Sequence, residues 1–299
     1  MVSRKLVKQG AATLMISLPS KWIKTNKLDK GDEVEMEERG KDLVISTENM
    51  AQKSKKVLDI TGFSPLVNRI LIFEYVKGYD ELEVKFKDSQ EIKDFQKRVI
   101  NELLGFEIVR QTQTSLFIKD ITGAENQDID ELVKRIFFIL DSMVDELIIA
   151  LEKNQDLDPI IDTDIAVNKF VHFCLRMLNK KGYNIPEKTI SIYSIVSNLE
   201  DIGDCYKRLA KDFKKIKPTK EYLNILREIK GQLSLFKDLI YGYDKKKLIK
   251  YAQDYERIKE NIKKIKSKTV IDFHLFETNE ILIGLNNHLL SMLDVASLV

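Results

Sequence analysis

The sequence predicts a multidomain, mainly α-helical protein, with a small β module first, a small α/β segment next and a carboxy-terminal half of long helices. Three observations carry this reading. Strand-type alternation of apolar and polar residues is confined to roughly the first 120 residues, and helical periodicity takes over after them. The 5 prolines all fall outside the helix interiors that this periodicity proposes. Charged residues make up 32% of the chain and hydrophobic ones 43%, with Gly and Pro scarce, which excludes a disordered or fibrous protein. A chain of 299 residues has room for two or three cores, and the composition shifts place them at 1–48, 53–122 and 127–299.

The first module opens with strands at Lys5 to Gln9 and Thr13 to Leu18 around a Gly10-Ala11-Ala12 turn. Leu14, Ile16 and Leu18 share one face of the second strand, and Thr13, Met15 and Ser17 share the other. Pro19 opens a short helix, Ser20 to Asn26, with Ser17 or Ser20 available as its cap. After a turn at Leu28 to Asp32, strands at Glu33 to Glu37 and Leu43 to Ser46 flank a second turn, Arg39-Gly40-Lys41-Asp42. So short a unit buries little area in one copy, so a second copy is expected. Net charge is only +2, but residues 1–30 hold Arg4, Lys5, Lys8, Lys21, Lys24, Lys27 and Lys30 against Asp29 alone. The next twenty or so residues are acidic, so the module has one basic end that suits phosphates.

Ser17-Leu18-Pro19-Ser20-Lys21-Trp22, followed by Leu28-Asp29-Lys30-Gly31-Asp32-Glu33-Val34, resembles the AbrB/MazE family of swapped-hairpin transcription factors. That family carries a Thr-Ile-Pro-type tripeptide before the helix and Leu-x-x-Gly-Asp-x-Val after it. Gly10 stands farther from Pro19 than in its compact members, so contacts do not transfer one by one. The resemblance implies a homodimer whose first hairpin meets DNA through Arg4, Lys5, Lys8 and Thr13, with Lys21 and Lys24 as phosphate contacts. Lysines position a protein on the duplex and carry little sequence information. The alternative is that these are solvated lysines on a module that only dimerises.

The middle segment reads as a strand at Lys55 to Ile60, a helix from Ser64 to Gly78 with Pro65 at its first position, and a strand at Leu82 to Phe86. A second helix runs from a Ser89 cap to Leu104, with Ile92, Phe95, Val99 and Leu103 at helical spacing. A hairpin of Glu107 to Gln111 and Ser115 to Lys119 completes β-α-β-α-β-β, a small sheet with helices on one face. Gly78 and Gly105 read as helix ends, since no Gly-rich turn joins a strand to a helix.

Six helices follow, near Ile129 to Lys153, Pro159 to Asn179, Pro186 to Lys215, Thr219 to Tyr241, Asp244 to Lys266 and Ile271 to Leu298. They suggest a duplicated three-helix unit. Leu132, Ile136, Leu140, Met143, Leu147 and Leu151 form the core stripe of the first. In the third, Leu199, Ile202, Tyr206, Leu209 and Phe213 face the core, while Glu200 and Asp204 fall together on its flank. Two such carboxylates suit a hard or borderline cation. Alternatively they pair with Lys207, Arg208 and Lys211 on a solvated face. Gly203 within the helix suggests close approach of a neighbouring helix or an ion.

The Leu-Glu-x-Ile-Gly-Asp run, in the third helix of a three-helix repeat, resembles the PhoU family of phosphate-uptake regulators, in which a Glu-x-x-x-Asp motif in each repeat binds metal. The equivalent stretch of the sixth helix reads Leu285-Asn286-Asn287-His288, without either acid. That leaves one site for a divalent or iron-type ion, at Glu200 and Asp204. His172, His274 and His288 share no face with each other or with a cysteine, and Ser, His and Asp form no recognisable triad, so no enzyme is expected. Cys174 and Cys205 match no ligand spacing and suit a reducing, cytoplasmic setting. Charged residues appear at once with no apolar leader, and acids interrupt the most apolar stretches, so no membrane insertion is expected.

Taken in this order, the three segments resemble the phosphate-uptake-regulator-like proteins typical of archaea. The resemblance implies a cytoplasmic homodimer that regulates phosphate uptake or phosphate-responsive transcription, its helical half sensing a metal, phosphate or a partner, with DNA, a phosphate ABC transporter ATPase or a histidine kinase as partners. The competing expectation is an adaptor that docks on such a transporter or kinase without binding DNA.

Overall fold

The computed structural model describes residues 3–10, 13–39, 42–47, 54–123, 127–265 and 269–293. The chain is mainly helical, as expected, and divides into two compact units, Met1–Lys53 and Ser54–Val299.

The first unit holds an antiparallel hairpin of β1 (Val7–Gln9) and β2 (Thr13–Met15), the helix α1 (Ser20–Thr25), and a second hairpin of β3 (Glu35–Arg39) and β4 (Asp42–Ser46). Ala11, Ala12, Gly40 and Lys41, expected in the two turns, lie outside the described residues. Strand β2 stops at Met15, short of the expected Leu18, because Ile16 to Leu18 pair with no described strand of this chain. The residue before α1 is Pro19, and no side chain caps the helix, so neither Ser17 nor Ser20 plays the expected part. Asn26 closes it, its Nδ2 donating to the Trp22 carbonyl at 2.9 Å.

Next, the Asp29 amide donates to Asp32 Oδ2 at 2.7 Å, and the Asp32 amide donates to the Asp29 carbonyl at 3.2 Å. This tight turn needs Gly31 at φ 104°, which L side chains rarely adopt, and so accounts physically for Gly-Asp at these positions.

In the second unit a four-stranded sheet runs in the order β5 (Lys55–Asp59), β6 (Glu81–Lys85), β8 (Ser115–Asp120), β7 (Phe106–Gln111). The pair β5 and β6 is parallel and needs a crossover, which α2 (Val67–Val76) supplies; the other pairs are antiparallel. Leu82, Val84, Leu116 and Ile118 alternate onto the buried face. Two helix starts differ from expectation. Helix α2 begins at Val67, and Pro65 belongs to the turn before the helix. Helix α3 (Lys93–Glu102) begins four residues past Ser89: Asp88 organises the preceding turn by accepting the Gln90 amide at 2.9 Å, and Ser89 caps nothing. Ile92, Phe95 and Leu103 are buried as predicted, while the Val99 side chain lies outside the described set.

Helices α4 (Ile129–Lys153), α5 (Asp158–Lys181), α6 (Thr189–Phe213), α7 (Lys220–Tyr241), α8 (Lys245–Lys264) and α9 (Val270–Met292) build the rest, with a short 3-10 turn at Pro186–Lys188 before α6. Asp128, Thr219, Asp244 and Thr269 cap α4, α7, α8 and α9 through their side chains. The expected ends at Lys266 and Leu298 fall outside the described residues. Helices α4, α5 and α6 pack on one another, as do α7, α8 and α9, and the trios meet through α6 against α9 and α4 against α7. The core stripes predicted on α4 and α6 are all buried. Among the described residues no helix is long and apolar enough to cross a membrane.

Sheet layer and bundle join through α5, on which α2 and α3 pack. Arg176 of α5 is fully buried. Its Nη1 donates to the Tyr75 and Tyr79 carbonyls at 2.8 and 2.7 Å, and its Nη2 to Asp80 and Asp120 at 3.0 and 3.1 Å. The guanidinium also lies over the rings of Tyr75 and Phe106.

Candidate nucleic-acid interface and the acidic seam

All six residues expected to meet DNA are exposed. Arg4 and Lys5 precede β1, Lys8 lies on β1, Thr13 opens β2, and Lys21 and Lys24 share a face of α1 at i and i+3. The hairpin register divides the set. Lys8 stands opposite Leu14, and Gln9 opposite Thr13, so Lys8 and Thr13 present to opposite faces of the ribbon. A single copy of the hairpin therefore does not bring them together. Sequence reasoning missed Gln9, which shares the Thr13 face and has the donor and acceptor pair that reads base edges.

None of the described residues of Met1–Lys53 is buried. Leu6, Val7, Leu14, Ile16, Met36 and Leu43 are exposed, Leu14 at 61% and Met36 at 66%. Apolar side chains left this open in a unit where none of the described residues is buried form a surface that gains about 25 cal/mol for each Å² it hides from water.

The second candidate site lies between α5 and α6. Glu200 and Asp204 flank α6 as predicted. Across from them α5 brings Asp164, Asn168 and His172, at i, i+4 and i+8, all buried. Lys207 Nζ sits between two carboxylates, 2.6 Å from Asp164 Oδ2 and 2.7 Å from Asp204 Oδ1. Arg208 reaches toward Asp204 at 3.9 Å and bonds Glu277 of α9 at 3.1 Å. Glu200 faces His172, its Oε1 3.6 Å from Nε2.

Burial pushes the Asp164 carboxyl above its ordinary range despite the ammonium beside it. Burial also acts to lower Lys207, but its bonds to Asp164 and Asp204 prevail and raise it, so the ammonium stays charged. Asp201, next to Glu200, is raised by burial and then by Glu200 and Asp204. Lys207 and Arg208 are thus the predicted partners of Asp204, and the close approach at Gly203 is made by a neighbouring helix. A Cβ there would meet Val167 Cγ1 of α5 at 3.0 Å and Leu140 Cδ2 of α4 at 3.5 Å. Among the described residues no group of three or more His, Cys, Asp or Glu is placed to hold a metal ion. His274 stands apart from the seam, between Asp212 and Glu277.

Comparison with known proteins gives one match. Residues 7–54 fit the model of the family described as antidote-toxin recognition MazE, bacterial antitoxin. No curated protein and no solved structure matches the chain. The match spans the two hairpins and α1, so this part of the chain is similar to a MazE/AbrB-type module, a likeness that suits DNA binding or dimerisation.

Proposed function

We propose that the chain is a homodimeric DNA-binding regulator of phosphate uptake or phosphate-responsive transcription. One observation supports this above the rest: a MazE/AbrB-like module that buries none of its described residues, exposes an apolar ribbon and carries its lysines free toward solvent. The apolar ribbon needs a second copy. Two copies related by a two-fold axis present two equivalent basic surfaces, which match a roughly palindromic site. Arg4, Lys5, Lys8 and Thr13 would meet the duplex from the hairpin side and Lys21 and Lys24 would hold phosphates from the short helix, with specificity coming mainly from DNA shape and from Arg4. The phosphate-linked part of the reading rests on the Leu-Glu-x-Ile-Gly-Asp run of α6 within two packed helix trios. The helical unit is then the receiver of the signal, from phosphate or from a transporter ATPase or histidine kinase partner.

The test starts with selection of bound sequences from random DNA by the full-length chain, followed by titration of the selected fragment at several salt concentrations. Counterion release makes log affinity fall with log salt by about 0.9 for each phosphate contact. Arg4→Ala with Lys8→Ala is expected to weaken binding and flatten that slope. Unchanged affinity and slope in the double variant, or no selected sequence at all, would leave the module a dimeriser only and favour the docking adaptor.

A further inference from the structure

A separate inference, independent of DNA binding, comes from the α5–α6 seam. Two carboxylates share one cation there, Asp164 from α5 and Asp204 from α6, with Glu200 one turn before Asp204 facing His172, and Asp164 is 5% exposed. Acids gathered at a half-buried helix seam need a counter-cation, because an uncompensated buried charge is strongly destabilising. Two kinds of cation fit that demand: a metal ion bound by carboxylate oxygens, or a positive side chain. The chain supplies the second. Lys207 is on the same helix as Asp204, one turn on, and its ammonium contacts one oxygen of Asp164 and one of Asp204 at hydrogen-bond distance. An ion bridging the same oxygens would have to displace Nζ from both. Asp164 Oδ2 is further occupied by Asn168 Nδ2 at 3.2 Å, and Asp204 Oδ2 faces Arg208. The acids are of the kind a hard divalent cation takes, but among the described residues no three of them are placed to hold one, and the Lys207 ammonium already occupies the two nearest oxygens.

We propose that the Lys207 ammonium is the resident cation of this seam, standing where Asp164 and Asp204 would otherwise hold a divalent metal, and that its removal opens a metal site. The seam is then locked without metal, and chelators leave the helical unit unchanged. The signal received by this unit is on that account not metal occupancy at Glu200 and Asp204. Asp164 Oδ1 and Asn168 Oδ1, buried and without a hydrogen-bond partner among the described residues, are the further oxygens that an entering ion would recruit.

The experiment uses the full-length wild type and Lys207→Met, both stripped with EDTA and then exposed to MnCl2, with elemental analysis, titration calorimetry and thermal melting as readouts. The wild type is expected to hold no stoichiometric metal and to keep its melting midpoint in EDTA and in Mn2+. Lys207→Met is expected to melt lower, to bind about one Mn2+ per chain, and to regain on the order of 5 °C on binding it. Adding Asp164→Asn to that variant should abolish the Mn2+ response. Stoichiometric metal in the purified wild type, or a wild-type midpoint that moves with Mn2+ or EDTA, overturns the proposal. So does a folded Lys207→Met that takes no Mn2+. If the methionine variant does not fold, Lys207→Gln, which keeps an uncharged polar group at the seam, is held to the same outcomes.

Discussion

Replacing Arg176 with methionine is the sharpest way to ask whether the sheet layer and the helix bundle behave as one body. The substitution removes two hydrogen bonds to the Tyr75 and Tyr79 carbonyls and two to the Asp80 and Asp120 carboxylates. Methionine keeps most of the stem volume between the rings of Tyr75 and Phe106, so the cavity left behind is small. The loss is therefore mainly electrostatic. Asp80 retains Lys180 at 2.6 Å and Ser54, but Asp120 loses its guanidinium. Breaking a buried pair on one side costs about 3–5 kcal/mol. For a unit of this size each kcal/mol lowers the melting midpoint by roughly 2–4 °C, so the expected drop is about 6–20 °C. Thermal and urea unfolding of the full-length chain followed by circular dichroism measure it. Adding Asp120→Asn to the variant, with Asp80 kept on Lys180, should recover part of the loss, because the carboxylate that loses its guanidinium is then neutral. A single variant within about 1 kcal/mol of wild type, or a double variant no better than the single, would refute the argument that Arg176 clamps the two layers by charge.

Further outcomes follow from the same geometry. Gly231 lies exposed in the interior of α7 with nothing within 4 Å of an added Cβ, so Gly231→Ala should raise stability by about 0.5–1 kcal/mol in urea unfolding. Gly203→Val should do the reverse by about 2 kcal/mol or more, since its branches drive into Val167 and Leu140. Burial tends to raise Asp80, but its bonds to Lys180 and Ser54 hold its carboxyl below the ordinary range. A depressed acid contributes stability that is present above its unfolded value, about 3.9, and lost as pH falls through its folded value. The urea midpoint should thus decline below about pH 4 in wild type, and less steeply in Asp80→Asn. Burial pushes the thiols of Cys174 and Cys205 up to about 12 and about 11, so neither should react with a thiol reagent until the chain unfolds.

Element type was legible wherever one physical rule acted alone. The long helices announced themselves because the apolar stripes of α4 and α6 repeat at helical spacing and the prolines and glycines punctuate the chain between helices; Asp or Thr side chains cap four of the six. The Gly31-Asp32 turn was equally readable, since its backbone demands glycine. Helix starts were misjudged where two local signals competed. Pro65 suits a first helical position, and yet it sits in the turn before α2. Ser89 suits a cap, but Asp88 is the better acceptor one residue earlier. A further signal was present and went unread: Asp164, Asn168, His172, Arg176 and Lys180 recur every fourth residue along α5. This polar line runs along the packed side of the helix, from the acids of α6 to Asp80 of the sheet layer.

The sequence alone determined the order of elements, the helix cores, the basic character of the first thirty residues and the placing of Glu200 and Asp204 on one flank. These depend on residue spacing along a single element, which periodicity reveals. Only tertiary structure decided which cation meets Asp204, that Lys8 and Thr13 face opposite ways, and that none of the described residues of the first unit is buried. Each of these depends on what a second element, or a second strand in a particular register, brings across from the first. Spacing along one segment carries no record of its partner.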